Sequence, residues 1–127
     1  PNSSLPAYVL FDSEIPANFN IQVQVLTANQ LPLNNTRYLP AAIQNAVAQI
    51  NGRTAQLSGQ ILLPAESQAA TQIRVAAVAY NKDGVVVGIK LWEGGAIQPG
   101  GSISFSFLVS SLSFEIDAVE FFVEARP

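Results

Sequence analysis

Glu115 and Asp117 stand two residues apart with Glu120 close by, and Asp12 and Glu14 repeat that spacing. On an extended strand a separation of two puts both carboxylates on one face, the beginning of a cation site. Calcium, however, gathers about six to eight oxygens from a loop with special turn residues. Neither pair has that setting, so both read as solvated strand faces and no metal is expected. Acid–base and nucleophilic chemistry have less to draw on. The chain contains no His and no Cys, which removes the usual general base and the strongest nucleophile. A Ser–Lys pair could be written with Lys82 or Lys90, but no sequence context supports it. No catalytic residue and no cofactor is assigned, and the chain is not read as an enzyme.

Aromatic side chains are the remaining group with chemistry to offer. Tyr80 and Trp92 flank one hairpin, and Tyr8 and Tyr38 lie elsewhere. Aromatics lining a groove stack on sugar rings or on the prolines of a peptide. The alternative for Trp92 is that it closes the core at the end of a sheet. Tyr80 and Trp92, with Glu93 and Gln98 from the Glu93–Gly101 loop, form the candidate interaction surface. Asn2-Ser3-Ser4 and Asn34-Asn35-Thr36 match the N-glycosylation pattern, which Asn-rich loops also produce by chance.

Composition narrows the partners. Charged residues make up 12% of the chain, about half the usual share, so Gln, Asn, Ser and Thr must build the polar surface. Such a surface guards exposed strand edges poorly, which favours association through an edge. The six basic residues, Arg37, Arg53, Arg74, Lys82, Lys90 and Arg126, are scattered in a chain of net charge −3. Nucleic-acid binding needs a basic stripe and is not expected. No apolar run approaches a membrane span and no signal-peptide pattern is present. The chain starts at Pro1 without an initiator Met, which reads as a trimmed piece of something longer. The absence of Cys excludes a disulfide framework and says nothing of redox compartment.

The elements that must position these residues are mostly strands. Phe19–Val25 and Ile103–Val109 alternate apolar and polar residues with a period of two, the pattern of a strand with one face in a core. Ala55, Leu57, Gly59, Ile61 and Leu63 alternate in the same way. Ile73 to Tyr80 is apolar on both faces except for Arg74, which predicts a central strand. Asn81-Lys82-Asp83-Gly84 is a turn, and Val85 to Trp92 its hairpin partner. Glu115 to Arg126 is the last strand, with Val119, Phe121 and Val123 on one face. The segment Leu39 to Ile50 stays open. Pro40 and the spacing of Ile43, Val47 and Ile50 suit a short helix near Pro40–Ile50, whereas Asn51-Gly52 is a hairpin signal that would make it a strand. Strands at regular spacing with turn chemistry between them predict an all-β antiparallel sandwich.

Two regions look alike. Leu10-Phe11-Asp12, the Ile15-Pro16 loop and the strand from Phe19 resemble Leu91-Trp92-Glu93, the Ile97–Gly101 loop and the strand from Ser102. On that reading residues 1–44 are a half-module supplying extra strands, and residues 45–127 are a sandwich module. The competing reading is that any two hairpin loops can look this similar.

From Leu57 to Phe107 the order of features resembles the FxLYD-type bacterial domain. Gly59, the Ile73–Tyr80 strand, Tyr80-Asn81-Lys82-Asp83-Gly84, Val85-Val86-Val87-Gly88 and Pro99-Gly100 with Phe105 fall in the family's order. The name motif would lie on Ala77-Val78-Ala79-Tyr80-Asn81, which keeps only the Tyr. The resemblance covers about half the chain. It implies an immunoglobulin-like sandwich on an exported or cell-surface bacterial protein, and no catalytic residue comes with it. The expected function is a non-catalytic interaction or spacer module that works by protein–protein contact, self-association through a strand edge included. The alternative is a carbohydrate-binding module using exposed aromatics.

Overall fold

The computed structural model describes residues 4–9, 13–14, 16–30 and 37–127. Six strands follow one another: β1 Ala42–Asn51, β2 Thr54–Leu62, β3 Gln72–Tyr80, β4 Val86–Gly94, β5 Ser102–Ser110 and β6 Ala118–Arg126. They form two three-stranded sheets, ordered β1-β2-β5 and β4-β3-β6, with every neighbouring pair antiparallel. The inner faces of the two sheets make the core, so the molecule is a β-sandwich.

Turn residues set the hairpins. Gly52 has φ +58° and is the first of the two residues linking β1 to β2, the place where a tight hairpin wants glycine. Between β3 and β4 the Gly84 N–H donates to the Asn81 carbonyl at 3.0 Å, and the Asn81 side chain reinforces that turn. Its Oδ1 accepts from the N–H of Asp83 at 3.0 Å and of Val85 at 2.9 Å. Gly84 completes the turn at φ +74°.

The connections that cross between sheets are tied by backbone bonds. Ala70 and Ile97 exchange N–H···O contacts of 2.9 and 3.0 Å, and both side chains are buried. These bonds join the β2–β3 crossover to the β4–β5 crossover. A burial demand thus pins what composition would call loops.

Alternation decides the core. Ala55, Leu57 and Ile61 of β2 and Ile73, Val75, Ala77 and Ala79 of β3 turn inward and lose nearly all solvent contact. Phe105 of β5 is the hub. Its ring centroid lies 6.0 Å from that of Trp92, 5.8 Å from Phe107 and 5.9 Å from Phe121. Gly59 makes room for it, since a Cβ there would stand 2.6 Å from Phe105 Cζ. Along one side the sandwich is closed by backbone: the N–H of Leu112 donates to the Val87 carbonyl at 3.2 Å, and Gly88 abuts Ser110.

Two expectations are corrected. The segment that allowed a short helix near Pro40–Ile50 is strand β1, and the described residues contain no helix. A one-residue register shift between Gln44 and Val47, with Asn45 at φ +53°, explains the misleading spacing. The bulge switches faces, so Ile43 and Ala48 turn to the core while Val47 turns out; Ile50, opposite buried Ala55, keeps the inward face but lies exposed at the strand's end. The strand expected from Phe19 to Leu26 does not pair with either sheet, and residues 16–30 are exposed throughout. The described residues before Ala42 add no strand. Leu10, Phe11, Asp12 and Ile15 of the half-repeat, the Asp12 carboxylate and most of both glycosylation patterns lie outside the described residues.

Candidate functional site

The outer face of the β4-β3-β6 sheet is built by the alternate residues of its central strand. Arg74, Ala76, Val78 and Tyr80 point away from the core, because Ile73, Val75, Ala77 and Ala79 point into it. Register then fixes their neighbours. Ala76 lies between Leu91 and Phe122, Val78 between Ile89 and Glu120, and Tyr80 between Val86 and Ala118. The middle of the face is therefore apolar.

Its two ends are polar. At one, Arg74 Nε donates to Glu93 Oε1 at 2.8 Å, an ion pair open to water and of little weight for stability. At the other, the Tyr80 hydroxyl donates to Glu120 Oε2 at 3.1 Å. Burial, and then the Glu120 hydrogen bond and charge, hold the Tyr80 phenol above its ordinary range. It stays protonated and able to donate at any physiological pH.

An outward residue on a one-sided sheet should be exposed, yet Val78 retains only 4% of its accessible surface. The chain itself supplies part of the cover. Residues 4–8 run across the face and line a shallow groove with Val78, Tyr80, Ile89 and Phe122. They carry no sheet hydrogen-bond pattern. Leu5 and Tyr8 are each 48% exposed and cover the face loosely. The segment that lines the groove is largely apolar and contains a proline, Pro6.

The four residues singled out from the sequence do not converge. Tyr80 and Glu93 lie on the outer face at opposite ends. Tyr80 and Arg74, the partner of Glu93, are six residues apart on β3, roughly 20 Å at the usual strand rise. Trp92 pairs with Val75 on the inner side and packs on Phe105, which is the core-closing role. Gln98 is exposed in the crossover loop, where its carbonyl accepts from Gly101 N–H at 2.9 Å. Trp92 and Tyr80 thus stand on opposite faces of one sheet and offer no shared stacking platform.

Sequence reading missed Val78, Ile89 and Phe122. The signal was present in the two-sided apolar run from Ile73 to Tyr80. That run predicts a central strand, and β3 is central. The second apolar face needs a cover as well, and that requirement pointed to the site.

Among the described residues no three acidic side chains converge on a cation position, and no helix is long and apolar enough to cross a membrane. Comparison with protein-family models, curated proteins and solved structures returns no match.

Proposed function

We propose that this chain is a non-catalytic interaction module of an exported bacterial protein, an immunoglobulin-like sandwich that binds an extended apolar peptide on the outer face of β4-β3-β6. The observation that carries the reading is the groove on the outer face that residues 4–8 line together with Val78, Tyr80, Ile89 and Phe122. A sheet face that accepts an extended segment of its own chain has the shape and chemistry to accept one from a partner. The fold's two-sheet architecture supports the immunoglobulin-like assignment, and the FxLYD-like order of strand, turn and Pro-Gly loop supports an exported setting. The carbohydrate alternative loses ground because Trp92 is engaged with Phe105.

The test uses the whole chain carrying Leu5→Asp and Tyr8→Ser, which loosens the lead-in without touching a strand. A synthetic peptide with the native sequence of residues 4–9 should then shift the amide resonances of Val78, Ile89 and Phe122. A scrambled acidic peptide should not. An unperturbed spectrum at those three positions, in a variant that remains folded, would remove the proposal.

A further inference from the structure

The two sides of the sandwich are unequal. On one side β4 meets the end of β5 and the residues just after it backbone to backbone, at Gly88–Ser110 and Val87–Leu112. On the other side β1 and β6 face each other, and among the described residues β1 pairs only with β2 and β6 only with β3, with no ladder between the two. Among the described residues one backbone bond crosses that opening, at its end, where Leu39 N–H donates to the Ala125 carbonyl at 2.9 Å.

That bond identifies the outer side of β6. Carbonyls alternate in direction along a strand, and the Arg126 carbonyl points the other way, accepting from Thr71 N–H at 2.8 Å beside β3. The N–H and C=O groups of Val119, Phe121 and Val123 therefore face the same outer side as Ala125. No described residue bonds them there. Their side chains turn toward the core yet stay half-buried, as do Ile43 and Ala48 on β1. The opening is thus a strip with apolar floor and unpaired backbone along one wall.

The same chain carries an unpaired element of matching length and pattern. Phe19, Ile21, Val23 and Val25 occur at every second position and are 59%, 75%, 89% and 74% exposed. Asn20, Gln22 and Gln24 alternate with them, and the segment Phe19–Leu26 holds no charge. Laid along β6, it would turn four apolar side chains into the strip and three amides outward. Nothing in it would repel Glu120 or Glu124 on the outer face.

We infer that the opening between β1 and β6 is a strand-accepting slot, and that its occupant is the Phe19–Leu26 segment of a second copy of this chain. The own segment is not the occupant, since in the single chain it stands clear of the sandwich with its apolar side chains in water. Each copy offers one strand and one slot, so the contact is heterologous. It either closes by reciprocal exchange or grows into an open chain of copies. This deepens the interaction reading by naming a partner, but it uses an edge rather than the outer face. The peptide titration at Val78, Ile89 and Phe122 reads that face alone, so either proposal can fail without the other.

The experiment is sedimentation velocity of the full chain over a wide concentration series, with the Val23→Glu variant beside it. Val23 is 89% exposed in the single chain, so the variant should keep the wild-type circular dichroism spectrum and unfolding midpoint. The wild type should gain mass with concentration, and Val23→Glu should weaken that association at least roughly tenfold, a charge being unable to enter an apolar strip unpaired. Residue-resolved amide exchange at Val119, Phe121 and Val123 should slow as the wild type associates. A wild type that stays monomeric, or an association untouched by Val23→Glu, would overturn the inference. So would concentration-independent protection of those three amides, which would mean that the chain closes its own slot.

Discussion

Replacing Phe105 by Ala should lower the stability of the sandwich by about 3–5 kcal/mol, the range for emptying an aromatic site in a core. Phe105 is 2% exposed and touches the rings of Trp92, Phe107 and Phe121. Trp92 belongs to β4 and Phe121 to β6, so the ring bridges both sheets and both flanks of the second one. Local collapse cannot refill the space, because the strands on either side are held by ladders and Gly59 beneath it has no side chain. The urea midpoint should fall by at least about 1 M for a domain of this size. Phe105→Leu, which keeps much of the volume, should lose less. A Phe105→Ala midpoint within error of the wild type would show that the ring is not where the sheets meet.

Gly88→Ala should be the more informative small change. A Cβ at position 88 would lie 2.5 Å from the Ser110 carbonyl oxygen and 3.2 Å from its carbon. Both are backbone atoms, so no rotamer change relieves the contact and β4 must move off β5. Overpacking of this kind costs about 1–3 kcal/mol, and the backbone obstacle places Gly88 at the upper end. Gly95 provides the control, because its Cβ would meet nothing within 4 Å and its φ is unexceptional. Gly95→Ala should change the midpoint little. Equal effects at the two positions would contradict the closed seam between β4 and β5.

The legible parts of the fold are those where one residue period matches one physical requirement. Ile103, Phe105, Phe107 and Val109 face the core because β5 covers it from one side only. Asn81 and Gly84 mark their turn because that turn uses an Asn side-chain acceptor and a positive φ. The same period misled at Phe19–Leu26. Alternation says that a segment has two chemically distinct faces; it does not say that a neighbour exists to receive one of them. Leu39–Ile50 misled for a different reason. The extra residue at the Asn45 bulge breaks the period of two, and the remaining apolar positions fall by accident at helical spacing.

The site was harder to read. Trp92 and Tyr80 are close in sequence and on one hairpin, but alternation sends them to opposite faces, because Trp92 pairs with inward Val75 while Tyr80 holds an outward position of β3. The apolar outer face depends on Leu91 and Phe122 flanking Ala76, a juxtaposition of β4 and β6 that only strand order creates. Composition predicts poorly guarded edges. It could not tell which edge is open, since that follows from one side of the sandwich closing through Gly88 and the other lacking a strand.

The central claim is that two three-stranded sheets bury their alternate residues against each other while the lead-in strand pattern stays outside them. Residue-resolved amide hydrogen exchange on dilute protein tests it most directly. The amides of Leu57 to Ile61 and Ile73 to Ala79 should be the slowest in the chain, because β2 and β3 are paired on both sides, and those of Phe19 to Leu26 should exchange as fast as an unfolded peptide. Dilute protein in which Phe19 to Leu26 exchanges as slowly as β2 and β3 would contradict the account, for that segment would then be a strand of the fold.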